Sequence, residues 1–317
     1  MKLKLLLAAV AATAATAMML GAGAVSAGAA PTACFGAAAR DPAHPCTNPT
    51  LSIFPTLANV DHPSESPCVY RIEHSLPICT FGTPKAKAKG TIALMGDSHS
   101  WHLRGAVDVV AKAKHWLGYS VTAPGCSYSP FVAHLPAEIR KSCVLWYARA
   151  KAWLRRHPEV STVFVSQLNT EYVAPGVTHL PQRIAGFKSA WKGMPKTVKH
   201  VIVIRDVPDP SDDTLDCVAR VVAAGTEQAG PACATPRNVA LTEDAATTAV
   251  AQLHSPRYQA VDLSQYFCDD QNCFPVIGGA LVYRDVLGHI TVAFSDSLGP
   301  FLLRKVQLLM LHWPHAS

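Results

Sequence analysis

The sequence predicts an α/β domain, a three-layer α/β/α sandwich around a five-stranded parallel sheet, behind a disulfide-rich N-terminal extension. Three observations predict it. From residue 91 onward, short Val/Ile-rich runs alternate with stretches of helical period. Polar residues fall mainly at the ends of those runs, as strands covered by helices on both faces require. Residues 30–90 instead hold Pro, Cys and polar turn formers without a sustained period of 2 or 3.6. A composition of 49% hydrophobic and 16% charged residues excludes a disordered tail, a collagen repeat and a coiled coil.

The chain opens with an export signal. Lys2 and Lys4 form a basic start, Leu5 to Gly23 is uncharged and rich in Ala and Leu, and small residues reach Ala29, where cleavage satisfies the small-x-small rule. A membrane anchor is the competing reading, because the apolar run is nearly long enough to span a bilayer. Pro31, Thr32 and Ala33 make Cys34 a poor lipidation site. No later segment approaches 18 uninterrupted apolar residues, so the expected product is soluble and secreted or extracytoplasmic.

All ten cysteines lie beyond the signal, in a compartment where thiols pair. Sequence alone does not fix their connectivity. Short intervening loops favour a sequential scheme: Cys34 with Cys46, Cys68 with Cys79, Cys126 with Cys143, Cys217 with Cys233, and Cys268 with Cys273. Metal binding is the weaker reading, since the chain has no C-x-x-C and the tight pair Cys268 and Cys273 lacks partners placed like a zinc site.

Residues 30–90 are read as a disulfide-stapled lead-in and 91–317 as the α/β/α domain. Strands are expected at Thr91 to Met95, Tyr119 to Ala123, Ser161 to Ser166, His200 to Arg205 and Tyr258 to Leu263. Helices are expected from Ser98 through His115, over Glu138 to Arg156 up to Pro158, and near Pro181 to Lys192, Leu241 to Leu253 and Thr291 to Leu311. Right-handed crossovers then gather the loops at the strand C-termini along one edge, where a site forms. The net charge of +6, two units of it from Lys2 and Lys4, is too small and dispersed to suggest nucleic acid.

Gly96-Asp97-Ser98-His99 occupies the first strand-to-helix corner, with Ser98 near a helix N-terminus whose N–H groups favour developing negative charge. Asp97 and His99 flank Ser98 and cannot easily both turn onto its hydroxyl, so a base has to come from elsewhere. The plain alternative is that Asp97 and Ser98 only cap the helix. Far along the chain, Asp285 and His289 are four residues apart, a spacing that brings the side chains together if the backbone turns helically. A carboxylate behind an imidazole fixes its tautomer and leaves the other nitrogen for a serine. Gly125 follows the second strand and Asn169 the third, on the same edge as Ser98; both are suitable oxyanion donors, or ordinary turn residues.

Gly96-Asp97-Ser98, Gly125, Asn169, and Asp285 with His289, in this order, resemble the blocks of the SGNH hydrolase superfamily, with its flavodoxin-like fold. The closer resemblance is to the SGNH domain fused behind bacterial membrane acyltransferase-3 proteins. It is carried by Leu94-Met95-Gly96-Asp97-Ser98-His99, Gly125-Cys126, Val207-Pro208 with Asp216-Cys217, Cys233, and Gly278-Gly279 leading to Tyr283-Arg284-Asp285. Two departures stand out. Val286, Leu287 and Gly288 put three residues between Asp and His where the family usually has two, leaving Asp296 or a backbone carbonyl as alternative partners of His289. Gln167-Leu168-Asn169 replaces the usual Gly, or Trp, before the Asn.

The resemblance implies a serine-dependent O-acyltransferase or esterase acting on acyl, foremost acetyl, groups of cell-envelope glycans. Ser98 is then the nucleophile, His289 the base and Asp285 its orienter, with Gly125 and Asn169 holding the oxyanion and no metal or organic cofactor needed. The implied partners are a glycan or small ester and, for transfer, a membrane protein that supplies the acyl donor. A glycan-binding or assembly module without catalysis is the alternative from a different class, since a fold does not fix a function.

Overall fold

The computed structural model describes residues 34–44, 46–47, 52–60, 68–132, 135–169 and 178–313. The expected signal segment lies outside the described residues. Seven strands form the main sheet: β1 Val69–Glu73, β2 Leu76–Gly82, β3 Gly90–Gly96, β4 Trp116–Thr122, β5 Val160–Ser166, β6 His200–Ile204 and β7 Tyr258–Val261. Their order is β1-β2-β4-β3-β5-β6-β7. The last five are parallel to one another, with Gly96 opposite both Thr122 and Ser166 at the C-terminal edge. Read in chain order, the parallel strands run 2-1-3-4-5, the flavodoxin-like arrangement.

The two extra strands correct the expectation of five. The β1–β2 hairpin comes from the stretch read as loops and joins the sheet antiparallel to β4, pairing Cys79 with Ser120. Its period was hidden because β1 is almost wholly exposed and β2 carries Pro77 and Cys79 between the buried Leu76, Ile78 and Phe81. Its two-residue turn uses His74 and Ser75 at φ 47° and 62°, positions where Asn-Gly is the usual signal.

The helices that matter for the site are α1 Ser98–His102, α2 Arg104–Ala113, α3 Ala137–Arg156, α4 Leu180–Lys192, α5 Thr214–Ala224, α6 Ala245–Leu253 and α7 Val292–Met310. The single helix expected from Ser98 is broken at Leu103 into α1 and α2, and α6 starts later than expected, at the Asp244 cap. Alternate side chains along the strands divide the core. Ile92, Leu94, Phe164, Ile202 and Ile204 meet α2 and α7, while Ala93, Met95, Val163, Val165, Val201 and Val203 meet α3, α4 and α6. Complete burial of each such aliphatic side chain contributes roughly 1.5–3 kcal/mol, which sets the register firmly. Chain connections leave β3 toward one face and β5 toward the other, so a crevice opens between their C-terminal ends.

All five disulfides join sequence neighbours: Cys34–Cys46, Cys68–Cys79, Cys126–Cys143, Cys217–Cys233 and Cys268–Cys273. Phe35, Ala37, Ala38 and Ala39 of the lead-in pack on the α2 and α7 side of the core, where Ala37 is fully buried and its N–H reaches Ser297 Oγ in α7 at 3.0 Å. Among the described residues no helix is long and apolar enough to cross a membrane.

Candidate active site

The corner after β3 is shaped by close packing. Gly96 sits at φ 145°, and a Cβ there would collide with the Ser166 carbonyl and the Ser100 hydroxyl, so only glycine lets β3 approach β5 this closely. Ser100 Oγ reinforces the contact by accepting from Ser166 N at 2.9 Å and donating to Met95 O at 2.8 Å. Asp97 caps α1 through His99 N at 2.9 Å, and its other oxygen accepts from Leu168 N at 3.0 Å and Ser127 Oγ at 3.2 Å. Its carboxylate therefore ties together the loops after β3, β4 and β5 and does not serve Ser98. Burial pushes its pKa up, against the charge and N–H of His99.

Ser98 is the first residue of α1, half-buried, and its Oγ lies 2.7 Å from Nε2 of His289. The other ring nitrogen, Nδ1, is 2.7 Å and 3.0 Å from the two carboxylate oxygens of Asp285. Asp285 also accepts the N–H groups of Leu287 at 3.1 Å and His289 at 3.2 Å. Burial acts to raise its pKa, but the bonds and charge of His289, with Arg284 nearby, outweigh it and hold the group below its ordinary value. The extra residue between Asp and His is absorbed by Gly288 at φ 79°, which curls the loop until Arg284 N meets His289 O at 2.9 Å. Asp296, the alternative orienter, lies elsewhere: it packs on Gly105 of α2, and burial and Asp108 push its pKa up to about 6.

The remaining expected donors fall differently. Gly125 lies in the turn after β4, fixed by the Cys126–Cys143 bridge to α3 and by the contact of Ser127 with Asp97. The Asn169 side chain is engaged away from Ser98. Its Nδ2 donates to Thr242 Oγ1 at 3.2 Å and Glu243 O at 3.0 Å, and its Oδ1 accepts from Ala245 N at 3.1 Å. The amide holds the N-terminus of α6, a structural duty that leaves neither of its protons for an oxyanion.

Two residues to which the sequence reading gave no role in the site, His99 and Asp206, complete the surroundings. Buried His99 places Nδ1 2.6 Å from Asp206 Oδ1 and Nε2 3.1 Å from Leu287 O, inside the loop that carries Asp285 and His289. Burial alone would neutralise this ring, but Asp206, then Asp97, raise its pKa to about 9, so it is an imidazolium. Asp206 also accepts from Asn169 N at 2.7 Å and Val207 N at 2.9 Å. The available signal was positional: Asp206 stands just beyond β6 on the edge that carries Ser98, and His99 is the fourth residue of the corner tetrapeptide.

A family model described as SGNH domain (fused to AT3 domains) matches residues 64–304. No curated protein matches the chain. Among solved structures, the periplasmic domain of the lipopolysaccharide acetyltransferase of Salmonella ser. Paratyphi A is similar, with a TM-score of 0.53 at 15% identity, over 70% of this chain and 85% of that one. That likeness is one of fold. The family match spans more than half of the chain and takes in Ser98, Gly125, Asn169, Asp285 and His289: this chain belongs to the family of SGNH domains that are found fused to AT3 domains.

Proposed function

We propose that this chain is an exported serine-dependent O-acyltransferase or esterase acting on acyl, foremost acetyl, groups of cell-envelope glycans. The observation that carries the reading is the unbroken run of hydrogen bonds from Ser98 Oγ through His289 to Asp285. Family membership and the resemblance in fold to a periplasmic acetyltransferase domain support the substrate class. Five disulfides and the signal-like N-terminus support an extracytoplasmic place.

In this reading the Ser98 proton passes to His289 Nε2 as Oγ bonds to the ester carbonyl carbon. Asp285 stabilises the imidazolium through Nδ1–H. The Ser98 and Gly125 N–H groups take the oxyanion, a role that Asn169, already engaged, does not share. Collapse expels the donor alkoxide, which takes the proton from His289 and leaves acyl-Ser98. Water or a sugar hydroxyl then gives its proton to His289 and attacks the acyl carbon, and collapse expels Ser98 Oγ, which takes that proton back from His289. For transfer, a membrane protein supplies the donor acyl group.

The test is labelling with a serine-directed fluorophosphonate. The wild-type protein is expected to label and Ser98→Ala to remain unlabelled. An unlabelled, folded wild-type protein would instead identify a binding module. Comparing ester release in water with transfer to an oligosaccharide then separates esterase from transferase.

A further inference from the structure

A cavity of about 280 Å³ lies one turn of α1 beyond Ser98, with Phe54 and Val60 of the lead-in and Trp101, His102, Arg284 and Ile290 in its wall. Its place near the triad follows from the chain. Trp101 and His102 are three and four residues beyond Ser98 in α1, on the same helix face. Arg284 precedes Asp285, Ile290 follows His289, and the His102 and His289 rings are 6.0 Å apart.

The polar groups of the wall are unevenly satisfied. Thr291 Oγ1 donates to Leu281 O at 2.6 Å and accepts from Phe294 N at 3.2 Å, and Ser295 Oγ accepts from Ala106 N at 3.3 Å. His102 is only 8% exposed, and its Nδ1 accepts from Ile290 N at 3.4 Å, which leaves the ring proton on Nε2. That Nε2 has no hydrogen-bond partner, and neither has Nε of Arg284. The Arg284 Nε lies 3.6 Å from Asp285 Oδ2, beyond hydrogen-bond length, while that carboxylate is occupied by His289 and two backbone N–H groups. The guanidinium is held 5.0 Å from the centre of the Trp101 ring. Both atoms are donors without a hydrogen bond, and one belongs to a guanidinium whose ion pair with Asp285 leaves its other nitrogens for an acceptor carrying negative charge. An aromatic and aliphatic lining beside those donors suits the mixed surface of a sugar ring.

We propose that this cavity is the subsite for an acidic sugar residue of the glycan, its carboxylate or phosphate bonded by the guanidinium of Arg284. The proposal rests on the reading of Ser98 as the acyl-carrying hydroxyl and deepens it by naming the chemistry of the sugar near it.

Binding is measured by titration calorimetry on the mature chain carrying Ser98→Ala, with methyl β-D-glucuronoside, methyl β-D-glucoside 6-phosphate and methyl β-D-glucoside. At least one acidic sugar is expected to bind tenfold or more tightly than the neutral one, and whichever wins identifies carboxylate or phosphate as the source. In Arg284→Gln the preference is expected to shrink to within about twofold. Equal binding of all three sugars, no binding of any at millimolar concentration, or a preference that survives Arg284→Gln overturns the proposal. The three-sugar comparison needs no change at Arg284, so a variant that failed to fold would not obscure the result. Because the protein titrated lacks the hydroxyl, failure here leaves the fluorophosphonate result standing, and failure of labelling leaves a measured sugar preference standing.

Discussion

Ser98 Oγ and His289 Nε2 are 2.7 Å apart although 191 residues separate them in the chain. Two local devices close the gap. Gly96 turns β3 sharply into α1, and Thr291 caps α7 by accepting from Phe294 N at 3.2 Å, fixing where the Asp285–His289 loop must end. Between these anchors, Tyr283 bridges to Ile290, and the His99 ring meets Leu287 O, so the loop is held from both sides. The His99 and His289 ring centres lie 5.0 Å apart.

If this geometry performs acyl chemistry, Asp285→Asn leaves the fold intact but cannot stabilise the imidazolium and favours the wrong tautomer. The expected loss in the rate of p-nitrophenyl acetate hydrolysis is roughly 10⁴-fold, smaller than that of Ser98→Ala or His289→Ala. The measurement is kcat at a temperature where wild type and variant are both folded by circular dichroism. Full activity in Asp285→Asn would remove the carboxylate from the mechanism.

The buried pair of His99 and Asp206 sets a pH dependence of stability. The folded-state pKa of His99 is raised from 6.5 to about 9, so the folded protein holds this proton more tightly than the unfolded chain does. The resulting stabilisation is complete below about pH 6.5 and is lost as pH rises through about 9. Urea midpoints are therefore expected to fall between neutral pH and pH 9.5, with a smaller fall in His99→Gln. At the acid end Asp285 acts in the opposite sense: its lowered pKa gives stability that is present above the ordinary 3.8 and is lost as pH falls through the folded value. Equal alkaline slopes in wild type and His99→Gln would show that His99 is not charged in the fold.

The parallel core was legible because strands buried on both faces leave a run of Val and Ile that needs no long-range information: β3, β5 and β6 announce themselves. The corner tetrapeptide and the Asp285–His289 spacing were legible for the same local reason. What could not be read depended on distant partners. The β1–β2 hairpin turns on His74 and Ser75, which carry no turn signature. Asp206 matters because β6 ends near His99, 107 residues away in sequence. Asn169 stands at the expected edge, yet its amide is captured by Thr242, 73 residues further on, a contact no local pattern encodes.

Asn169 accordingly gives a prediction that separates two roles. An oxyanion donor removed by Asn169→Ala would lower kcat by about 10²- to 10³-fold. A group that holds the start of α6 would lower stability by about 1–2 kcal/mol and change kcat by less than tenfold. The three hydrogen bonds of its side chain to Thr242, Glu243 and Ala245 favour the second outcome. A large loss of kcat at unchanged denaturant midpoint would reverse the assignment.

Two disulfides of similar span test whether the turn at Gly125 contributes to the reaction. Cys126–Cys143 and Cys217–Cys233 close separations of 17 and 16 residues, so removing either pair is expected to cost about 3 kcal/mol through loop-closure entropy. Only the first fixes the turn that carries Gly125 and positions Ser127 at 3.2 Å from Asp97. The second joins α5 to Cys233, in the small core cluster around Val218 and Leu281. Replacing Cys126 and Cys143 by Ala should therefore lower both the thermal midpoint and kcat, whereas the same change at Cys217 and Cys233 should lower only the midpoint. The comparison is made at a temperature where both variants are folded by circular dichroism. If the two lose kcat equally, the effect is one of general loosening, and the N–H of Gly125 has no special part in holding the oxyanion.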